Sequence, residues 1–289
     1  MKKGLLLMLL AFSVAAQAQK GTNKLQFQKG QKLEVTTQVA SVATQELMGQ
    51  TMDVNVAATL NHSYDVEDVT NAGAVIEHKV KRLQLNFEGM GQSQKFDSEN
   101  EADMKGDMGK AAEKSLKNKY KMTVDPTGKV VSVTTDDDNP NTPGGGADMM
   151  GQMLSQLSLG LEVPKVGDAV PFSILPASGD VAKGTTWTDS ATNGDKGINR
   201  YTITDVTANE VLIDVAGEST TKKVQDMQGM EMTINTNNKM TGKITLDKKS
   251  GLLKQRTLTT EATGSVDVAG QSIPITNKLT ITTTVSGIQ

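Results

Sequence analysis

Long runs in which apolar and polar residues tend to alternate, with many β-branched side chains, constrain the fold of this chain more than any other feature. They include "KLEVTTQVASVATQ" (32–45), "TMDVNVAATLNHSYDVEDV" (51–69) and "AVIEHKVKRLQLNFE" (74–88). Such a run turns one side to a core and the other to water. Turns as short as "LMGQ" and "TNAG" separate these runs. They suit antiparallel neighbours, since parallel ones need a long crossover. The pattern continues in "KMTVDPTGKVVSV" (121–133) and returns in "NRYTITDV" (199–206), "EVLIDVAGEST" (210–220), "EMTINTNNKMTGKITLD" (231–247), "LLKQRTLTTEATGSVDV" (252–268) and "SIPITNKLTITTTV" (272–285). The expected fold is mainly β: a duplicated antiparallel sheet or half-barrel with short central helices. An all-helical or Rossmann chain is excluded. Pro274 must lie at an edge, a strand start or a bulge, because it has no N–H for a ladder.

Three internal echoes point to duplication. "YDVEDVTNAGAVIE" (64–77) aligns without gaps on "YTITDVTANEVLID" (201–214), matching Tyr64, Asp68, Val69, Thr70 and Ile76 to Tyr201, Asp205, Val206, Thr207 and Ile213. "KMTVDPTGKVV" from Lys121 resembles "KITLDKKSGLL" from Lys243, each a strand ending at an Asp with a glycine shortly beyond it. "MGQTMDV" (48–54) resembles "AGQSIPI" (269–275), although these two do not occupy the same sequential place in each half. On this reading Tyr64 and Tyr201 are matching packing or strand-end residues rather than paired catalytic phenols.

Between the halves the pattern breaks. "AAEKSLKNKY" sets Ala112, Leu116 and Tyr120 four residues apart, a helical spacing, with Glu113 and Lys117 as a supporting pair. "TTDDDNPNTPGGG" (134–146) reads as a linker or exposed loop. A further short helix is expected near 148–159, with Met150, Met153, Leu154 and Leu157 on one side. The expected organisation is residues 1–18 as a leader, 19–135 as a first β-rich half with a helix near 110–119, 136–146 as the linker and 147–289 as a second β-rich half.

The leader follows from "MKK", the apolar "GLLLMLLAFSVAA" and the small-residue "AQA" at 16–18, a secretory signal with cleavage expected before Gln19. The product is expected in the periplasm or outside the cell. Loss of Lys2 and Lys3 moves the formal charge from -3 to -5, which disfavours general attraction to nucleic acid. The chain has no cysteine, hence no disulfide framework and no lipoprotein thiol. No later apolar run has the length of a membrane helix. With only 3% aromatic residues, the core must rely on aliphatic side chains and methionine, and an aromatic platform for sugars or bases is disfavoured.

Chemical motifs are sparse. His62 and His78 lie on adjacent expected strands and can meet across a hairpin, but no third ligand at metal-site spacing accompanies them. "DDDN" (136–139) concentrates oxygen ligands without the EF-hand succession. Methionines in "DMKGDMG", "DMMGQM" and "DMQGMEM" are soft copper ligands in principle, and gap-filling core residues by ordinary use. Trp187, the sole tryptophan, reads as a packing anchor. No GxSxG elbow or triad is present. No catalytic, cofactor-binding or metal-ligating residue is therefore assigned, and no cofactor is expected.

At "YTITDVT", "KITLDKKSG" and "LPASGDVAKGTTW" (175–187) the chain resembles a family of uncharacterised exported β-rich proteins of Bacteroidota, over most of the mature length. That resemblance implies an envelope location and a β-rich fold, and carries no activity. The favoured function is nonenzymatic: a cell-envelope protein holding a lipid, a peptide or an envelope protein on a curved β scaffold. A structural or assembly protein without a small ligand, and an unidentified hydrolase, are the alternatives.

Overall fold

A computed structural model describes residues 21–47, 50–89, 91–117, 119–135, 160–175, 179–190, 195–227, 230–268 and 270–288. The leader, the linker at 136–146 and the helix expected at 148–159 lie outside them. The strands are β1 (Lys32–Leu47), β2 (Gln50–Thr70), β3 (Gly73–Gly89), β4 (Gln92–Asp97), β5 (Lys119–Val124), β6 (Val130–Thr135), β7 (Thr186–Ser190), β8 (Lys196–Val206), β9 (Glu210–Met227), β10 (Met230–Asp247), β11 (Leu253–Val268) and β12 (Gln271–Ser286). Two helices, α1 (Glu101–Lys105) and α2 (Asp107–Leu116), join β4 to β5. Asn100 caps α1, its side chain accepting from the amides of Ala102 and Asp103. The four-residue spacing that extends to Tyr120 overreaches: α2 ends at Leu116, and Tyr120 is a buried β5 residue whose ring stacks on His78 at 4.3 Å. Tertiary contact overrides the local period there.

All twelve strands form one antiparallel sheet in the order β6-β5-β3-β2-β1-β12-β11-β10-β9-β8-β7, with β4 beside β3. The sheet does not close into a barrel. Pro274 lies one residue beyond the last β1 partner of β12, which leaves it paired to β11 alone.

The duplication is written in the registers. β1-β2-β3-β5-β6 and β7-β8-β9-β10-β11 are successive five-strand meanders, and β12 joins them. Tyr64 faces Leu33 and Tyr201 faces Trp187; Val66 faces Ile76 and Ile203 faces Ile213; Ile76 faces Met122 and Ile213 faces Ile244. The bulges match as well, between Val66 and Asp68 against Ile203 and Asp205, and between Thr123 and Val124 against Thr245 and Leu246. Even an ion pair repeats, Lys29 with Asp68 and Lys183 with Asp205. The third echo maps onto non-equivalent hairpins, β1–β2 and β11–β12.

The last hairpin of each meander, β5–β6 and β10–β11, turns on an aspartate. Asp125 Oδ1 accepts from Thr127 N, Thr127 Oγ1 and Lys129 N at 2.8, 2.7 and 3.0 Å. Asp247 Oδ1 accepts from Lys249 N, Ser250 N and Ser250 Oγ at 3.1, 2.7 and 2.7 Å. Gly128 and Gly251, at φ 84° and 71°, supply the left-handed step of each turn, where a β-carbon is disfavoured.

Those turns lie six strand spacings apart along the sheet, about 29 Å if it were flat. Consecutive residues nevertheless bridge them: Leu25 N donates to Pro126 O at 2.8 Å and Gln26 N donates to Ser250 O at 2.9 Å. A second bridge repeats the span, with Val170 N on Gly128 O and Leu253 N on Phe172 O. The sheet must therefore curl at this end. Residues of both meanders, among them Leu33, Ile76, Met122, Ile203, Ile244 and Leu252, share one buried cluster with Leu25 and Phe172.

Asp125→Ala and Asp247→Ala each remove a three-way acceptor from an equivalent turn. Each substitution is expected to cost about 2 kcal/mol, read as a lower urea midpoint, with the two losses similar in size.

Candidate functional site

Directly paired residues of neighbouring strands point to one face, so the register sorts side chains into an inner, curled face and an outer one. From β9 to β2 the pairing above the turns runs without a bulge until Asn61. On the inner face β12 presents Ile273, Ile275, Asn277, Leu279 and Ile281, whereas its outer face carries Ser272, Pro274, Thr276, Lys278, Thr280 and Thr282. β11 repeats the division, with Leu258, Ala262, Val266 and Val268 inside and Thr257, Thr259, Glu261, Thr263 and Asp267 outside. Inner positions of β1, β2 and β10 add Val39, Val54, Val56, Ile234 and Met240. Polar residues that interrupt this face pair among themselves: Ser41 Oγ with Asn277 Oδ1 at 2.9 Å, and Asn238 Nδ2 with Thr221 Oγ1 at 2.8 Å.

The inner face forms a trough. Its floor is the cluster around Phe172, and over β1 to β3 it is covered by α2, whose Ala112, Met108 and Leu116 join Leu60, Leu83, Leu85 and Phe96. Met104 and Met108 pack there as core methionines do. Leu279 and Ile281 of β12 touch the same cluster, so the apolar surface passes from under the helix onto β12, β11 and β10. There Ile273, Ile275, Leu258 and Val266 remain half-buried.

Just above the floor a polar step crosses the trough. Arg256, Thr283 and Thr37 are register partners on β11, β12 and β1, and Thr283 and Thr37 are buried. Arg256 Nη2 donates to Thr283 Oγ1 at 3.3 Å, and its Nε is sealed from solvent without a hydrogen-bond partner. Burial lowers the guanidinium pKa, while Tyr201 opposes that shift. Arg256 escaped the sequence reading, although its parity in "LKQRTLTTEATGSV" is that of Leu258 and Val266, which turn inward.

The histidines do meet, in the floor of the first meander. His62 Nδ1 and His78 Nε2 are 2.8 Å apart, a hydrogen bond that occupies one ring nitrogen of each. Among the described residues no group of three or more His, Cys, Asp or Glu is placed to hold a metal. With His78 Nε2–H as donor, the sealed His78 Nδ1 is a bare acceptor, less costly to leave unpaired than an N–H. Tyr64 and Tyr120 complete the group, with Tyr64 4.8 Å from the His78 ring. All four side chains are buried, giving a substrate no access. Burial pushes His78 down to about 3, with the charge of His62 adding to the effect. At the equivalent place in the second meander, Trp187 stacks on Tyr201 at 5.1 Å and 7°. Two open depressions, about 450 Å³ beside Thr59, Lys95 and Asp97 and about 420 Å³ beside Lys243, Gln255 and Thr257, gather no base with an activated nucleophile.

A buried neutral His78 fixes the sign of a pH effect. The unfolded chain takes up this proton near the ordinary histidine value and the folded chain only near 3, so folding stability falls as pH drops below about 6.5. Between pH 6.5 and 5, above the carboxylate range, urea unfolding is expected to lose up to about 1.4 kcal/mol per pH unit. In His78→Phe that slope is expected to shrink.

One solved structure shares the architecture. A lipovitellin structure concerned with lipid–protein interactions superposes over 91% of this chain at a TM-score of 0.50 and 12% identity. The chain spans 26% of that lipovitellin chain's length. An outer membrane channel from Pseudomonas putida F1 aligns over 91% of this chain and 98% of its own, at 7% identity and a TM-score of 0.21. No curated protein matches the chain. A family model matches residues 71–253, from the β2–β3 turn to the first residue of β11, and by that match the chain belongs to the family of unknown function DUF6263.

Proposed function

We propose that this protein is a nonenzymatic lipid-binding protein of the cell envelope that holds acyl chains in the trough of its curled sheet. The observation that carries the reading is the asymmetry of β11 and β12, with Ile, Leu and Val inside and Thr, Ser, Lys and acids outside. A sheet solvated on both faces has no use for that division; one that covers an apolar guest does. Acyl chains suit the lining better than sugars or bases, since it is aliphatic and offers few free polar groups. The fold shared with lipovitellin supports the same reading, and the leader read from residues 1–18 supports export.

Native mass spectrometry of protein purified from its own envelope is expected to reveal a retained lipid. In vesicle-transfer assays with a fluorescent acyl lipid, Ile275→Lys, which puts a charge in the trough, is expected to reduce uptake at least tenfold. Thr276→Lys, one residue away on the outer face, is expected to leave uptake within twofold. Equal effects from the two variants, or a retained peptide in place of lipid, would overturn the assignment.

A further inference from the structure

Arg256 is an anomaly in an apolar trough. Its Nε is sealed without a partner, and among the described residues its only hydrogen bond is the long one to Thr283 and no carboxylate forms an ion pair with it. A guanidinium stays charged at neutral pH, and a half-buried one with a sealed, unpaired Nε is costly, so a group held this way is poised for an anion. The fork is also matched in shape to a carboxylate, which it can bind through two parallel hydrogen bonds. Its surroundings set what else the ligand must carry. Leu258 follows Arg256 on the inner face of β11, Ile281 faces Leu258 across β12, and Leu279 comes next. Val266 lies ten residue steps along β11 from Arg256, about 33 Å of strand lined on this side mainly by aliphatic and small residues.

We propose that Arg256 is the headgroup anchor of the trough, binding the carboxylate of a fatty acid whose chain lies over Leu258, Ile281 and Leu279. The proposal rests on the acyl-binding reading and narrows it to a single-chain anionic amphiphile, with the head at the floor and the tail directed along the strands. Thr283 positions the fork through its hydrogen bond, and the occupied site gives Arg256 the counter-charge that the described side chains do not provide.

The test is calorimetric titration of the full mature chain with palmitate, hexadecanol and acetate, against Arg256→Met and Arg256→Lys. Palmitate is expected to bind the wild type at least tenfold more tightly than Arg256→Met, while hexadecanol, which has the tail without the charge, binds both alike. Arg256→Lys, with a charge but no fork, is expected to fall between them for palmitate. Replacing an unpaired cation by a residue of similar volume is expected to preserve or raise the urea midpoint of Arg256→Met, separating lost binding from lost folding. Palmitate and hexadecanol binding equally, with neither sensitive to Arg256→Met, would overturn the anchor and leave the acyl trough standing. If neither binds, the trough reading fails and the anchor with it. Acetate binding as tightly as palmitate would overturn the tail placement and reduce Arg256 to a simple anion site.

Discussion

Two adjacent backbone amides, Leu25 N and Gln26 N, hold together turns that a flat sheet would keep far apart. Everything distinctive about the molecule depends on that bridge. Drawing the Asp125 and Asp247 turns together rolls the open sheet over its own apolar face. That burial allows Ile76 and Met122 of one meander to share a core with Ile213 and Ile244 of the other. Burying such aliphatic side chains contributes roughly 1.5–3 kcal/mol each, which offsets the cost of ordering the bridging segments. A single curl thus makes both the core at the turn end and the trough above it.

The two meanders share registers and bulges, but their inner faces have diverged. In the first, His62, Tyr64, His78 and Tyr120 fill the floor with rings and α2 covers the aliphatic surface above. In the second, Trp187 and Tyr201 stack near the edge, and the polar step at the centre is Arg256 with Thr283. One copy is packed shut; the other retains half-buried aliphatic residues above a cation that has no carboxylate partner among the described residues. Duplication supplied two equivalent scaffolds, and a binding role needs only one of them to remain open.

Legibility varied with the range of the interaction. Tyr64 and Tyr201, or Asp125 and Asp247, were recognisable because hairpins are local and their turn residues sit at fixed offsets. The meeting of His62 and His78 was accessible for the same reason, since β2 and β3 are consecutive. Tyr120 misled because a helical spacing in "AAEKSLKNKY" coexists with a stronger demand, stacking on His78, that local sequence does not express. Arg256 went unremarked because an inward parity has no meaning until the inner face is known to be curled and partly uncovered.

The sequence by itself determined the strands, their two-residue phase, the aspartate turns and the repeat, all consequences of steric preference and periodicity over a few neighbouring residues. Only the tertiary structure decided that β12 pairs with β1 and joins the meanders into one sheet, that Leu25 and Phe172 curl it, and that Arg256 faces the trough with its Nε sealed and unpaired among the described residues. Those contacts link residues up to about 250 positions apart. They are set by which surfaces can be buried together, a property of the whole sheet that no local pattern encodes.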